Sequence, residues 1–294
     1  MSPQYPALLD ELERGPPVEL KALGGGCIAE AAAACFSDGS CVFVKRAAGA
    51  ADMFPREAEG LRSLAAAGEI RVPQVLAVNE NALVLEWVEQ RPRPVGFSEA
   101  FGRSLARLHQ HRGKTSGFVH DNYIGSTPQI NTPLIGEWNE ASDDEGSTWP
   151  QFFLQRRLRY QVSLMESREY GADIASLLDA AENRFAELLS ADPGPPSLLH
   201  GDLWSGNYLV DDHGAACLID PAVYYGHREA ELAMTRLFGG FDQAFYGAYD
   251  EMMPLTAGFE ERLPMYQLYH LLNHLNLFGR GYLSQCVRVL RAYG

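Results

Sequence analysis

The segment from Leu198 to Asp220, LLHGDLWSGNYLVDDHGAACLID, constrains the fold of this chain more than any other. Two short apolar runs, NYLV and AACLID, flank the turn DDHG, which is the pattern of a tight β-hairpin. Ahead of the hairpin stands H-x-D-x-x-x-x-N, with His200, Asp202 and Asn207 in the fixed places, and Asp220 follows at the hairpin's far end. A loop of this spacing can present one carboxylate as a base and one amide oxygen as a metal ligand. Each residue also has a plainer reading. HGD can cap a turn, and Asp220, standing before Pro221, can simply end an extended strand.

Upstream, the string LKALGGGCIAEAAAACF leads through SDGS into CVFVKR. Asp38-Gly39 between two β-prone runs predicts a hairpin, because such turns need the positive φ that glycine tolerates, and it places Lys45 at the end of the return strand. In MFPREAEGLRSLAAAG, residues Phe54, Ala58, Leu61 and Leu64 recur at helical spacing and Gly68 supplies a stop. That helix carries Glu57 and Glu59. Glu57 is preferred as functional because it leads the apolar face through Leu61 and Leu64. IRVPQVLAVNENALVLEWVE then reads as two strands across NEN, so the first part is a small antiparallel sheet with one main helix. After the Pro-punctuated EWVEQRPRPVG, a helix is expected with Ser98 as its N-cap. Residues 113–148 lack periodicity, and the remainder reads as mostly helical around the hairpin. The expected boundaries are residues 1–88, a linker at 89–98, and 99–294.

The resulting order is Lys45 on a strand, Glu57 on the next helix, H-x-D-x-x-x-x-N on a loop, and Asp220 after a further strand. Phosphoryl transfer from ATP in protein kinase-like folds uses such a set. Lys45 would hold the phosphates and Glu57 would pair with it. Asn207 and Asp220 would hold Mg²⁺, Asp202 would accept or orient the acceptor hydroxyl, and His200 would brace the loop backbone. Gly24-Gly25-Gly26 departs from G-x-G-x-x-G but can offer backbone N–H groups to phosphates. Backbone groups from Glu86 to Val88 are candidates for the adenine edge. His270 and His274 have the i,i+4 spacing of a zinc helix without its glutamate, and they read as packed core.

Composition excludes several classes. With 24 basic and 38 acidic residues the chain carries a formal charge of -14 and has no basic run, so nucleic acid is not an expected partner. The 46% hydrophobic content supports a sizeable core. The five cysteines, Cys27, Cys35, Cys41, Cys217 and Cys286, show no C-x-x-C spacing, which predicts neither a zinc site nor a disulfide framework. With no signal-peptide pattern at the N-terminus and no membrane-length apolar run, a cytoplasmic location away from membranes is expected.

HGDLWSGN, followed by IDPAVYYGHREAELAM, preceded by NYIGSTPQINT and followed by YHLLNHLNLFG, resembles the fructosamine kinase (ketosamine kinase) family from GGGCI onward. The resemblance implies an α+β, two-lobed protein kinase-like fold, with an antiparallel N-terminal sheet and a mostly helical C-terminal lobe. It implies ATP and Mg²⁺ as cofactors and phosphorylation of the 3-hydroxyl of a ketosamine, free or on a glycated protein. Tyr123, Gln129, Asn131 and Trp204 would contact that substrate, and Cys27 would match a redox-sensitive phosphate-loop cysteine. An aminoglycoside- or choline-type phosphotransferase shares the H-x-D-x-x-x-x-N skeleton and remains the alternative, as does a nucleotide-binding regulator without catalysis. The sequence does not fix the oligomeric state.

Overall fold

The computed structural model of the 294-residue chain describes residues 7–24, 29–47, 52–132, 148–191 and 194–294. They form two compact units, Met1–Phe97 with Asn207–Pro221, and Ser98–Gly206 with Ala222–Gly294.

The first unit is built on a five-stranded antiparallel sheet of order β1-β2-β3-β5-β4. The strands are β1 (Glu19–Leu23), β2 (Glu30–Cys35), β3 (Cys41–Arg46), β4 (Val75–Asn79) and β5 (Ala82–Glu86). The β2–β3 turn forms as expected: Gly39 has φ +84°, and the amide and hydroxyl of Ser40 both donate to Asp38 Oδ1. On β3, Val42 and Val44 point into a core with Leu8, Leu9, Ala34, Phe36 and Val84. Strand alternation therefore turns Lys45 to the other face. Helix α1 (Met53–Ala67) buries Phe54, Ala58, Leu61 and Leu64, and Gly68 ends it in the left-handed region at φ +73°. The later hairpin, β9 (Tyr208–Val210) with β10 (Ala216–Leu218), belongs to this unit despite its place in the sequence.

One reading of the cysteines is corrected. Cys35 and Cys41 form a disulfide, because the Asp38-Gly39 turn sets them directly opposite each other at the ends of β2 and β3. Cys217 and Cys286 are buried free thiols, and Cys27 lies outside the described residues.

The second unit is mostly helical. It contains α2 (Phe97–Leu108), α3 (Trp149–Phe152) running through a π-helical stretch Phe153–Arg159 into α4 (Tyr160–Ser163), and α5 (Gly171–Leu189). Helices α6 (Arg228–Leu237), α7 (Gln243–Met252), α8 (Phe259–Phe278) and α9 (Leu283–Tyr293) follow. Ser98 is not the cap of α2. It lies within the helix, and its hydroxyl donates to Asp242 Oδ2 at 2.7 Å. Two small antiparallel pairs complete the unit: β6 (Asn122–Ile124) with β7 (Thr127–Gln129), and β8 (Ser197–Leu199) with β11 (Tyr224–Gly226). The β8–β11 pair brackets the Asp202 loop in sequence. No helix among the described residues is long and apolar enough to cross a membrane.

Candidate active site

In the first unit three charged side chains converge from distant parts of the sequence. Lys45 Nζ donates to Glu57 Oε1 at 2.6 Å and to Asp220 Oδ1 at 2.5 Å. Burial alone would push the Lys45 ammonium toward neutrality. The Glu57 and Asp220 carboxylates outweigh that and hold its pKa above the ordinary lysine value. Glu59, the other candidate on α1, pairs instead with Arg56. One ammonium against two carboxylates leaves a net negative charge, and the Asp220 side chain is 46% exposed.

Asn207 and Asp220 stand at the two strand ends of the β9–β10 hairpin, where Ile219 N–H donates to the Asn207 carbonyl at 3.0 Å. Asp220 is not the extended residue that normally precedes a proline. Its φ is +55°, one of two positive values at non-glycine residues among those described. Left-handed backbone costs an ordinary residue about 1 kcal/mol or more, although aspartate tolerates it better than most, and such conformations concentrate at functional sites. Hard oxygen donors beside uncompensated negative charge suit Mg²⁺, which is typically held by one or two protein carboxylates together with substrate phosphates. The described residues include no cluster of three His, Cys, Asp or Glu side chains fit for a metal held by protein alone.

In the second unit the Asp202 loop is fixed from beneath by a buried carboxylate. Glu231 on α6 accepts from the amides of His200 at 3.0 Å and Gly201 at 2.7 Å, and its Oε2 lies 3.0 Å from His109 Nε2. Burial would raise the Glu231 pKa, but His109 and the His200 amide keep it below the usual value. Burial also holds His109 neutral at lowered pKa. The network therefore assigns the His109 proton to Nε2, with Nδ1 accepting from Tyr249 Oη at 2.8 Å. His200 Nδ1 accepts from the amide of Asp202 at 3.3 Å, the bracing role read from the sequence. Gly201 is required here: at φ +85°, a Cβ would lie 2.0 Å from the Ala222 carbonyl oxygen. Sequence reasoning did not identify Glu231 or His109. A signal existed in the acidic residue set within the apolar face of REAELAM.

The proposed substrate residues divide. Trp204 is 38% exposed, packs edge-on against Phe238, and lies so close over Gly206 that any side chain there would collide with the indole. Tyr123 on β6 is half-buried. Gln129 and Asn131 require correction, being 1% and 0% exposed with their amides committed to the protein. Gln129 donates to Asn122 and the Ala222 carbonyl and accepts from Tyr269. Asn131 donates to Asn122 and the His120 carbonyl and accepts from Arg157. An interior polar group must find partners, and these residues found them in the loop they stabilise.

On the nucleotide side, Gly24 is exposed at the end of β1, while Gly25 and Gly26 lie outside the described residues. The Glu86 amide donates to Gln74, and its carboxylate is held by Arg71 and the Gln74 amide. Val88 is buried. His270 and His274 lie on α8, with His274 Nδ1 donating to the His270 carbonyl at 2.8 Å.

These features match known proteins along nearly the whole chain. The fructosamine kinase family model matches residues 10–293. A Synechocystis protein described as a probable ketoamine kinase is 39% identical over 93% of this chain and 89% of its own length. The chloroplastic protein-ribulosamine 3-kinase of Arabidopsis thaliana is 38% identical over 94% of this chain and 82% of its own. The solved structure of a fructosamine-3-kinase candidate from Thermobifida fusca superposes with a TM-score of 0.84 at 34% identity, covering 98% of both chains. More remote phosphotransferase structures, at 13–14% identity and TM-scores of 0.57–0.58, carry the protein kinase-like fold alone. With an antiparallel sheet, a lysine–glutamate pair and the HGDLWSGN loop in one chain, and with relatives matched over most of its length, this protein belongs to the fructosamine kinase family.

Proposed function

We propose that this protein is an ATP-dependent kinase that phosphorylates the 3-hydroxyl of ketosamines, whether on free amines or on glycated lysines of proteins. Among the structural features, the carrying observation is the Lys45 ammonium held between Glu57, twelve residues away, and Asp220, 175 residues away. A cation so placed grips phosphate oxygens, and Glu57 keeps it charged and oriented. Asn207 and Asp220 would hold Mg²⁺, which would supply positive charge against the negative charge that develops in transfer. Gly24, Gly25 and Gly26 would add backbone N–H groups to the phosphates, and the Glu86–Val88 segment would meet the adenine. With its amide spent on Gln74, Glu86 would contribute through its carbonyl.

Asp202 takes the proton of the acceptor hydroxyl as its oxygen bonds to the γ-phosphorus, and ADP leaves with the electrons of the broken P–O bond. Fixing the loop backbone through Glu231 and His200 lowers the reorganisation needed at that moment. Trp204 offers an exposed aromatic face to a polyhydroxylated, often cationic acceptor, with Tyr123 as a further contact, and the chain's net charge of -14 favours cations. The test is incubation with Mg-ATP and fructosyl- or ribulosyl-lysine, reading ADP release and phosphate on O3 by NMR. Transfer to a ketosamine is expected. No transfer to any ketosamine, alongside good turnover of an aminoglycoside or choline, would replace this reading with the alternative.

A further inference from the structure

We propose that Arg71 is a positioning residue for the cation-binding end of the Asn207–Asp220 hairpin, an inference that rests on those two residues being Mg²⁺ ligands. The hairpin has three residues in each strand, and an isolated two-stranded hairpin is marginally stable at best. Something outside it must hold it. Arg71, on the connection between α1 and β4, does so at two levels. Its carbonyl accepts from the Leu218 amide at 2.8 Å, extending a parallel bridge to Cys217 on β10. Its guanidinium spans the hairpin turn and the end of β5: Nη1 donates to Asp211 Oδ2 at 2.9 Å and Asp212 Oδ1 at 2.7 Å, and Nη2 to Glu86 Oε1 at 2.6 Å.

Asp211 is in turn the keystone of the β9–β10 turn. Its Oδ1 accepts from the amides of His213 and Ala215, and the side chain is 2% exposed. One planar guanidinium thus ties a closed turn to the sheet that carries Lys45, while the Lys45–Asp220 pair ties the hairpin's other end. Without it, three carboxylates would face one another with no cation between them, one of them buried. A lysine supplies the charge but not the fork, so it cannot reach both the turn and Glu86. Arg71 has no bond to Lys45, Asp202, Asn207 or Asp220 among those described, and on the nucleotide side it meets the Glu86 carboxylate rather than the carbonyl assigned to adenine. Its effect reaches the metal through the hairpin.

The experiment compares wild type with Arg71→Met, Arg71→Lys and Asp212→Asn. It titrates Mg²⁺ against a non-hydrolysable ATP analogue by calorimetry and follows folding by thermal melts. Removing an outer support of metal ligands typically weakens metal affinity about tenfold or more, so Arg71→Met is expected to show that loss while metal-free nucleotide binding stays within about twofold. Arg71→Lys should fall between, and Asp212→Asn should lose about two- to threefold, since one of the three carboxylates facing the guanidinium loses its charge while keeping an acceptor oxygen. A folded Arg71→Met with wild-type Mg²⁺ dependence overturns the inference, and so does equal loss of binding with and without metal. Should Arg71→Met fail to fold, an unchanged Mg²⁺ dependence in Asp212→Asn overturns it. The two readings fail separately: a wild type that binds the Mg²⁺ analogue yet phosphorylates no ketosamine removes the substrate assignment and leaves Arg71 in place. A wild type whose nucleotide binding ignores Mg²⁺ removes the Arg71 role.

Discussion

The two compact units arrange their chemistry by opposite means. In the first, the candidate side chains hold one another directly, Lys45 against Glu57 and Asp220, with Asp220 nearly half exposed. In the second, Asp202 sits on a loop whose backbone is held by a fully buried carboxylate, Glu231, with neutral His109 behind it. Direct ion pairing fixes charge but is replaceable piece by piece. A buried hydrogen-bond network fixes geometry, and removing one member leaves the others unsatisfied in a low-dielectric interior. The first unit is thus expected to respond to mutation mainly in binding, and the second mainly in turnover and stability.

The sharpest test of that contrast is Asp202→Asn. It should lower kcat by about 10³-fold, within the range for loss of a positioned base, while ATP affinity is unchanged by calorimetry. Retained turnover would remove Asp202 from its role. Lys45→Met should act on the other side of the comparison, raising KM for ATP and lowering kcat/KM by about 100-fold in steady-state kinetics. If it left the ATP KM unchanged, the Lys45–Glu57 pair would be structural. Glu231→Leu leaves two buried amides and His109 without their acceptor. A loss of about 3 kcal/mol in denaturant unfolding is expected, together with lower kcat.

The smallest effect is on pH. His270 is pushed by burial down to about 3, and burial lowers His109 as well. For histidines depressed in the folded state, the unfolded chain binds protons first. Their stabilisation is therefore complete above the unfolded value near 6.5 and is lost as pH falls toward the folded one. For His270 this amounts to about 2 kcal/mol at pH 5. Melting temperature should drop from pH 7 to pH 5, and His270→Gln should flatten the slope. An unaltered slope would mean that another group titrates.

Short-range signals in the sequence carried much of this structure. The Asp38-Gly39 hairpin, α1 with its Gly68 stop and the β9–β10 hairpin were legible because turn chemistry and hydrophobic period are local properties. Preferring Glu57 over Glu59 also followed from period, since the apolar face of α1 settles which carboxylate turns toward β3. Other features depended on partners far along the chain. Gln129 and Asn131 resemble polar loop residues until Asn122, Arg157 and Tyr269 are placed around them. The Cys35–Cys41 bridge was missed although its signal was present, because the same turn that predicted the hairpin also sets residues 35 and 41 face to face.

By itself, the sequence determined which residues could do chemistry and in what order: a lysine on a strand, a glutamate on a helix, H-x-D-x-x-x-x-N, and an aspartate beyond a hairpin. Local backbone preference and side-chain type are enough for that. Only the tertiary structure decided how those residues are held, through Arg71 bridging the hairpin turn to β5 and Glu231 beneath the Asp202 loop. Such supports join residues 15 to 140 positions apart. Their energy comes from desolvated charge and matched hydrogen bonds, which exist only once the chain has packed.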